Sequence, residues 1–281
     1  MKNIQAKDIT EAIAQLCIKI NAKLADDIDH SLKKAQQKES YPLAENILSV
    51  INENRELALN CQRPICQDTG MAVVFVQYGQ EIHIEGGSLE NAIQAGVKKG
   101  YCQGYMRKSI VSDPLIRDEN TNDNTPAVIH YQITEGDNLK ISVMAKGFGS
   151  ENTSALKMLK PSDGIDGAQD FIVKTIQNGA PNACAPIIVG VGVGGDFEKA
   201  AIMSKQALLI PLDQHSEKPH LRSMEKAIMQ TINETGIGPM GMGGMTTMLG
   251  IHILDYPTHI AGLPVAVNIC CYVDRRGTVI L

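Results

Sequence analysis

"PIIVGVGVGGDFEKAA", residues 186–201, sets the class of fold. An apolar, β-branched run, Ile187–Val191, reads as a buried strand, and a helical pattern follows near 197–206. Between them stand Gly190, Gly192 and Gly195. Strand, glycine turn and helix in that order make the repeating unit of an α/β protein. The same letters spell G-x-G-x-x-G, with Asp213 about where a ribose-binding acid would stand, so a dinucleotide loop is one candidate. Asp196 weighs against it. A carboxylate directly after the last glycine already uses the positive end of the helix dipole, and it would repel a pyrophosphate. The preferred reading is that these glycines let the backbone pass close to another part of the site.

Outward from that stretch the pattern stays mixed. Residues 8–60 read as helices: Asp8 and Glu11 have capping-box spacing, and Ile9, Ile13, Leu16, Ile20 and Leu24 recur at helical intervals. Pro42 stands near the start of a second helical run that ends around Leu59. Strands are expected at 72–78, with 82–84 as a short partner, at 127–134 paired with 139–145, and at 207–212, 250–254 and 264–271. Helices are expected near 89–103, 164–178 and 219–235, and after the glycines at 147 and 149. These elements predict one α/β domain over 1–281, with mixed sheets covered by helices and a helical N-terminal region over 1–60.

The totals exclude several functions. The chain of 281 residues is 43% hydrophobic, which suffices for a sizeable core. Its formal net charge is −5, with both signs scattered, so no basic footprint for nucleic acid is present. No apolar run approaches the ~20 residues of a membrane span. The N-terminus lacks the basic head and apolar core of a secretory signal. Seven cysteines in such a chain predict reduced thiols or metal ligation, and a cytoplasmic location.

Cysteine context narrows the chemistry. Cys17 falls on the apolar side of the first helix and reads as core. Cys61 and Cys102 stand beside polar loop residues and receive no role. Cys66 precedes Gln67, Asp68, Thr69 and Gly70, immediately before a buried strand. Cys184 lies between prolines in "APNACAP". Cys270 and Cys271 end the strand-like "PVAVNICC", where alternation lets only one of the two face a common site. Spacing alone leaves open whether these cysteines share a metal. Two further glycine groups stand out. Gly147 and Gly149 precede Ser150, Glu151, Asn152 and Thr153, where free backbone N–H groups can hold an anion or simply cap a helix. "GIGPMGMGGMTTMLG", 236–250, has no helical spacing of its methionines and reads as a packed loop.

Six motifs, in order, resemble class I fumarate hydratases and the α subunits of L-tartrate dehydratase. They are "CQDTG" (66–70), "AKGFGSEN" (145–152), "LKMLKPSDG" (156–164), "GVGVGGDFEKAA" (190–201), "GIGPMGMGG" (236–244) and "THIAGLPVAVN" with "DRR" (258–268, 274–276). The resemblance covers nearly the whole chain and implies an iron–sulfur hydro-lyase rather than a nicotinamide enzyme. It implies a [4Fe–4S] cluster held by Cys66, Cys184 and Cys271, with a fourth iron open to substrate. Relatives often carry Gln before the third cysteine, where this chain has Cys270. The resemblance further assigns Gln67, Arg107, Gly147 and Gly149 to a small dicarboxylate substrate, and Asp68 and His259 to a proton-handling pair. A guanidinium such as Arg107 suits a carboxylate because it binds both oxygens.

Single-chain relatives continue past "DRR" into a second domain, whereas this sequence ends at Leu281. A separate β subunit is therefore expected, in an α2β2 assembly or a homodimer of α. Fumarate hydration to malate is the first expectation. L-tartrate dehydration to oxaloacetate and mesaconate hydration are the alternatives, and a nucleotide-dependent oxidoreductase on Gly190–Gly195 is the rival from another class.

Overall fold

The computed structural model describes residues 1–281. In chain order the elements are β1 (Lys2–Gln5), α1 (Ala6–Ala22), α2 (Asp26–Lys38), α3 (Pro42–Cys61), β2 (Met71–Gly79), β3 (Ile82–Glu85), α4 (Leu89–Gln103), β4 (Val128–Thr134) and β5 (Leu139–Lys146). There follow α5 (Phe148–Glu151), β6 (Ala155–Leu159), α6 (Gly164–Gly179), β7 (Ile187–Gly194), α7 (Phe197–Ala207), α8 (Pro219–Asn233), β8 (Met248–Tyr256), β9 (Leu263–Cys270) and β10 (Arg275–Ile280). Backbone proximity divides them into two compact units. The first comprises Met1–Ala25, Asn54–Gly147 and Arg275–Leu281; the second comprises Asp26–Glu53 and Phe148–Asp274. The mixed α/β class with N-terminal helices is as expected.

In the first unit a sheet runs in the order β10-β5-β2-β4. β2 lies antiparallel to β5 and parallel to β4, so both its edges are used. That explains two departures from the sequence reading. β4 and β5 do not pair with each other, because β2 runs between them. β3 cannot pair with β2 and instead joins β1, in parallel. Ile9, Ile13, Leu16, Cys17 and Ile20 form the buried stripe of α1, as helical spacing requires. That helix begins at Ala6, so Asp8 lies within its first turn rather than capping it.

In the second unit the order is β6-β9-β7-β8. β7 lies between antiparallel β9 and parallel β8, which is why its run is apolar on both faces. α7 packs on it unusually closely. A Cβ on Gly190 would lie 2.0 Å from the Ser204 carbonyl oxygen, and one on Gly192 would lie 2.2 Å from that of Ala200. These glycines are the seat of a helix. Asp196 caps that helix by accepting from Lys199 N–H at 2.9 Å, so the N-terminus where a phosphate would dock already holds a carboxylate.

Two more expectations fail here. Residues 207–212 are not a strand: α7 runs to Ala207, and i→i−3 bonds then turn the chain at Leu208, Leu209 and Ile210. Residues 155–159 form a strand, β6, rather than a helix, because the edge of β9 is available to it. No helix of the chain is long and apolar enough to cross a membrane.

Gly190→Ala must push α7 off β7 and is expected to lower stability by about 1–3 kcal/mol. Gly149→Ala, whose Cβ would meet nothing within 4 Å, is the control. Chemical unfolding of both variants measures the difference.

Candidate active site

In the first unit, Cys66, Gln67 and Asp68 form the turn that leads into β2. The Cys66 thiol donates to Gln67 Oε1 at 3.3 Å. One Asp68 oxygen accepts from Gly70 N–H at 3.0 Å, an Asx turn that fixes the carboxylate against its own backbone. Thr69 is buried and clasps Arg107: its hydroxyl accepts from Arg107 N–H at 3.0 Å and donates to Arg107 O at 3.3 Å. The Arg107 side chain is exposed, so its charge is available to a ligand. The end of β5 delivers Gly147 to the same place. A Cβ there would lie 3.2 Å from Asp68 Oδ2 and 3.4 Å from Arg275 Nη2. Four of the expected site residues (Gln67, Asp68, Arg107 and Gly147) therefore belong to one assembly of loops, together with Cys66.

Arg275 holds that assembly. Only 1% exposed, it donates from Nε to Ala145 O at 3.1 Å and from Nη1 to Asn21 Oδ1 at 3.3 Å. Nη1 also donates to the Asp68 carbonyl. Tyr101 closes the floor, its hydroxyl donating to Thr69 O and Gly70 O. Burial raises the Tyr101 pKa far above its ordinary value, Cys17 and Asp68 add to the rise, and Arg275 opposes it, so the phenol stays a donor. Neither Arg275 nor Tyr101 was assigned a role from sequence.

In the second unit, the Tyr272 N–H reaches the Cys184 carbonyl at 3.5 Å, which brings the Cys184 and Cys271 segments side by side. Cys184 sits at φ +52° and is exposed. Cys270 pairs across the sheet with Ile188, is 2% exposed, and turns its sulfur to Asp274 at 3.8 Å. Cys271, the residue after β9, is half-buried. The two neighbouring thiols thus differ in burial. The 236–244 loop packs against the Cys184 segment: Met240 N–H donates to Ala185 O at 2.9 Å, and a Cβ on Gly241 would lie 3.2 Å from Pro181 O.

His259 is exposed in the turn before β9, which is tied to the β7 glycines by Thr258 donating to Gly195 O at 2.8 Å. Its Nδ1 accepts from Ala261 N–H at 3.1 Å, which leaves the ring proton on Nε2. Gly149 lies in α5, and Glu151 beside it is anchored by Lys205 and by Asn268 Nδ2 at 3.2 Å.

No three His, Cys, Asp or Glu side chains are gathered as ligands for a metal ion. Cys66 belongs to the first unit, Cys184 and Cys271 to the second. The donor chemistry nonetheless suits an iron–sulfur group. These three thiols stand outside the hydrophobic core, whereas Cys17 is sealed in it, its pKa pushed up to about 12 by burial.

A family model described as fumarate hydratase (Fumerase) matches residues 10–280. The chain belongs to the fumarate hydratase family. A Methanocaldococcus jannaschii relative, provisionally named L(+)-tartrate dehydratase subunit alpha, is 38% identical over 275 residues, spanning 96% of each chain. The L(+)-tartrate dehydratase subunits alpha of Escherichia coli O157:H7 and K12 are each 30% identical over 275 residues, covering 97% of this chain and 90% of theirs. Membership of the fumarate hydratase family makes this chain a hydro-lyase subunit. The name "subunit alpha" implies that those relatives work with a second subunit.

Arg275→Lys removes directional donors that a lysine cannot replace. It is expected to destabilise the chain by about 1–3 kcal/mol for each buried acceptor left bare. Thermal and chemical unfolding, compared with the neighbouring Arg276→Lys, measure the loss.

Proposed function

We propose that this chain is the α subunit of a tartrate-dehydratase-type hydro-lyase, which converts L-tartrate to oxaloacetate and water. Fumarate hydration, the first expectation from sequence, becomes the second reading, because the similar relatives carry the tartrate name along nearly their whole length. Cys66, Cys184 and Cys271 would hold a [4Fe–4S] cluster. When bound, the cluster supplies a Lewis-acidic iron for substrate oxygen, which a fourth protein ligand would block. The observation that carries the reading is the separation of the cysteine pair: Cys270 is committed to the core and Cys271 is left accessible.

The chain's own residues supply binding and proton handling. The exposed guanidinium of Arg107, whose backbone is held by Thr69, clamps one substrate carboxylate. Gln67 and the backbone N–H groups at Gly147 and Gly149 orient the substrate. Asp68 and His259 act as a pair: the imidazole takes or gives the proton at the departing hydroxyl, and the carboxylate stabilises the imidazolium. Loss of that hydroxyl and of the proton on the neighbouring carbon gives an enol, which tautomerises to oxaloacetate. A separate β subunit completes the site, in an α2β2 assembly or around an α homodimer, within one catalytic domain and in the reducing cytoplasm that free thiols suit.

Anaerobic reconstitution of the full chain with its β partner, assayed on L-tartrate, malate and fumarate, tests the substrate. Tartrate should give the highest kcat/KM; preference for malate or fumarate would return the function to the other reading. In the same complex, Asp68→Asn and His259→Asn should each slow turnover by about 10²–10⁴-fold, with iron content unchanged. The double variant should be little slower than the worse single one, since members of one catalytic unit are not additive. Multiplicative losses would show that the two residues act separately.

A further inference from the structure

Within the second unit, α2 and α8 flank a cavity of about 610 Å³ whose base is the edge strand β8. That volume is in the range of small-molecule sites. None of the expected catalytic residues lines it.

Its floor holds a buried carboxylate with unused capacity. An exposed strand edge must be blocked, and two α8 side chains block this one. Asn233 uses both its polar atoms: Oδ1 accepts from Thr247 and Met248 N–H at 2.9 Å each, and Nδ2 donates to Met248 O at 3.2 Å. Glu225 is half used. It is 4% exposed, its Oε1 accepts from Ile253 N–H at 2.8 Å, and its Oε2 has no partner although buried. Capping Ile253 needs one oxygen. A second buried carboxylate oxygen without a donor is costly, so the group is explained by a ligand that brings an N–H or O–H.

The rim has the opposite charge. Lys34 and Lys38 lie one turn apart on α2, with Arg222 and Lys226 likewise on α8, and all four are exposed. The three lysines make no ion pair, in a chain whose net charge is −5. Arg222 is steered by its Nε donating to Ser216 O at 2.9 Å. The walls are apolar, with Leu212, Met229 and Ile251 among them. Leu249 lines the cavity as the extra residue of a β-bulge, since Ile187 pairs with Met248 and Ile188 with Gly250. Bulges at sheet edges commonly re-aim a side chain beside a site.

We propose that this cleft binds a nucleotide, with its phosphates on the lysine and arginine rim, its base against the apolar wall, and one base amine or ribose hydroxyl donating to Glu225 Oε2. L-tartrate fits poorly: each of its hydroxyls is on a carbon next to a carboxylate, so reaching Glu225 would bring two anions together, and it has no apolar group for the Leu212, Met229 and Ile251 wall. The site is therefore distinct from that of the hydro-lyase substrate and stands independently of the reading given above.

Calorimetric titration of ATP into the full chain with its β partner, in parallel with inorganic tripolyphosphate, tests the proposal. ATP should bind with Kd below about 1 mM and more tightly than tripolyphosphate. Glu225→Gln keeps an oxygen for Ile253 and places an NH₂ where Oε2 stood. It should weaken ATP about tenfold and leave tripolyphosphate unchanged. Lys34→Ala/Lys226→Ala, at exposed positions, should weaken both ligands and flatten their salt dependence. Absence of ATP binding at millimolar concentration, equal binding of ATP and tripolyphosphate, or an unchanged ATP affinity in Glu225→Gln would each overturn it. Should Glu225→Gln fail to fold, the comparison of the two ligands on the unaltered chain and on the lysine variant still decides.

Discussion

A guanidinium with 1% of its surface exposed must find its acceptors inside the protein, and the first unit is arranged around that requirement at Arg275. Burying a charge without partners costs many times the net stability of a domain, so the acceptors are obligatory. They come from three places far apart in sequence: Asn21 on α1, the Asp68 carbonyl and the Ala145 carbonyl at the end of β5. Arg275 itself opens β10. One side chain therefore locks an N-terminal helix, a cysteine-bearing turn, a central strand and the last strand into one geometry. Gly147 is left without a side chain at the point where Asp68 and Arg275 approach it.

The second unit depends on a close approach rather than a buried charge. Gly190 and Gly192 let α7 settle on β7, and the settled helix brings Lys205 to Glu151, which Asn268 on β9 also holds. Packing of the central sheet thus fixes the turn after Gly149. The same sheet leads into Cys271 just after β9 and out of Cys184 just before β7, joined through Tyr272 N–H. The two adjacent thiols end in different surroundings, Cys270 in the core beside Asp274 and Cys271 half-buried where the strand has ended.

Much of this was legible in the sequence because it obeys short-range rules. The α1 stripe, the apolar run of β7 and the Asp196 cap each follow from the pattern of a single element. What was not legible is long-range. Nothing local says that β2 separates β4 from β5, or that β3 joins the N-terminal β1, because pairing is decided by which edges remain open. Residues 155–159 become a strand for the same reason. Ala207–Leu212 misled because its apolar content serves a helix end and a turn packed on β7. Arg275 and Glu225 escaped notice because a charged letter does not reveal whether it is buried. The six motifs disclosed the family, and their order carried more information than any one spacing.

The central claim is that Cys66, Cys184 and Cys271 hold an iron–sulfur cluster while Cys270 does not. Iron and acid-labile sulfide bound per chain after anaerobic reconstitution, measured for serine variants of each cysteine in turn, tests it most directly. Cys66→Ser, Cys184→Ser and Cys271→Ser are expected to lose most of their bound iron, and Cys270→Ser to retain it. Retention by Cys271→Ser with loss by Cys270→Ser would contradict the account.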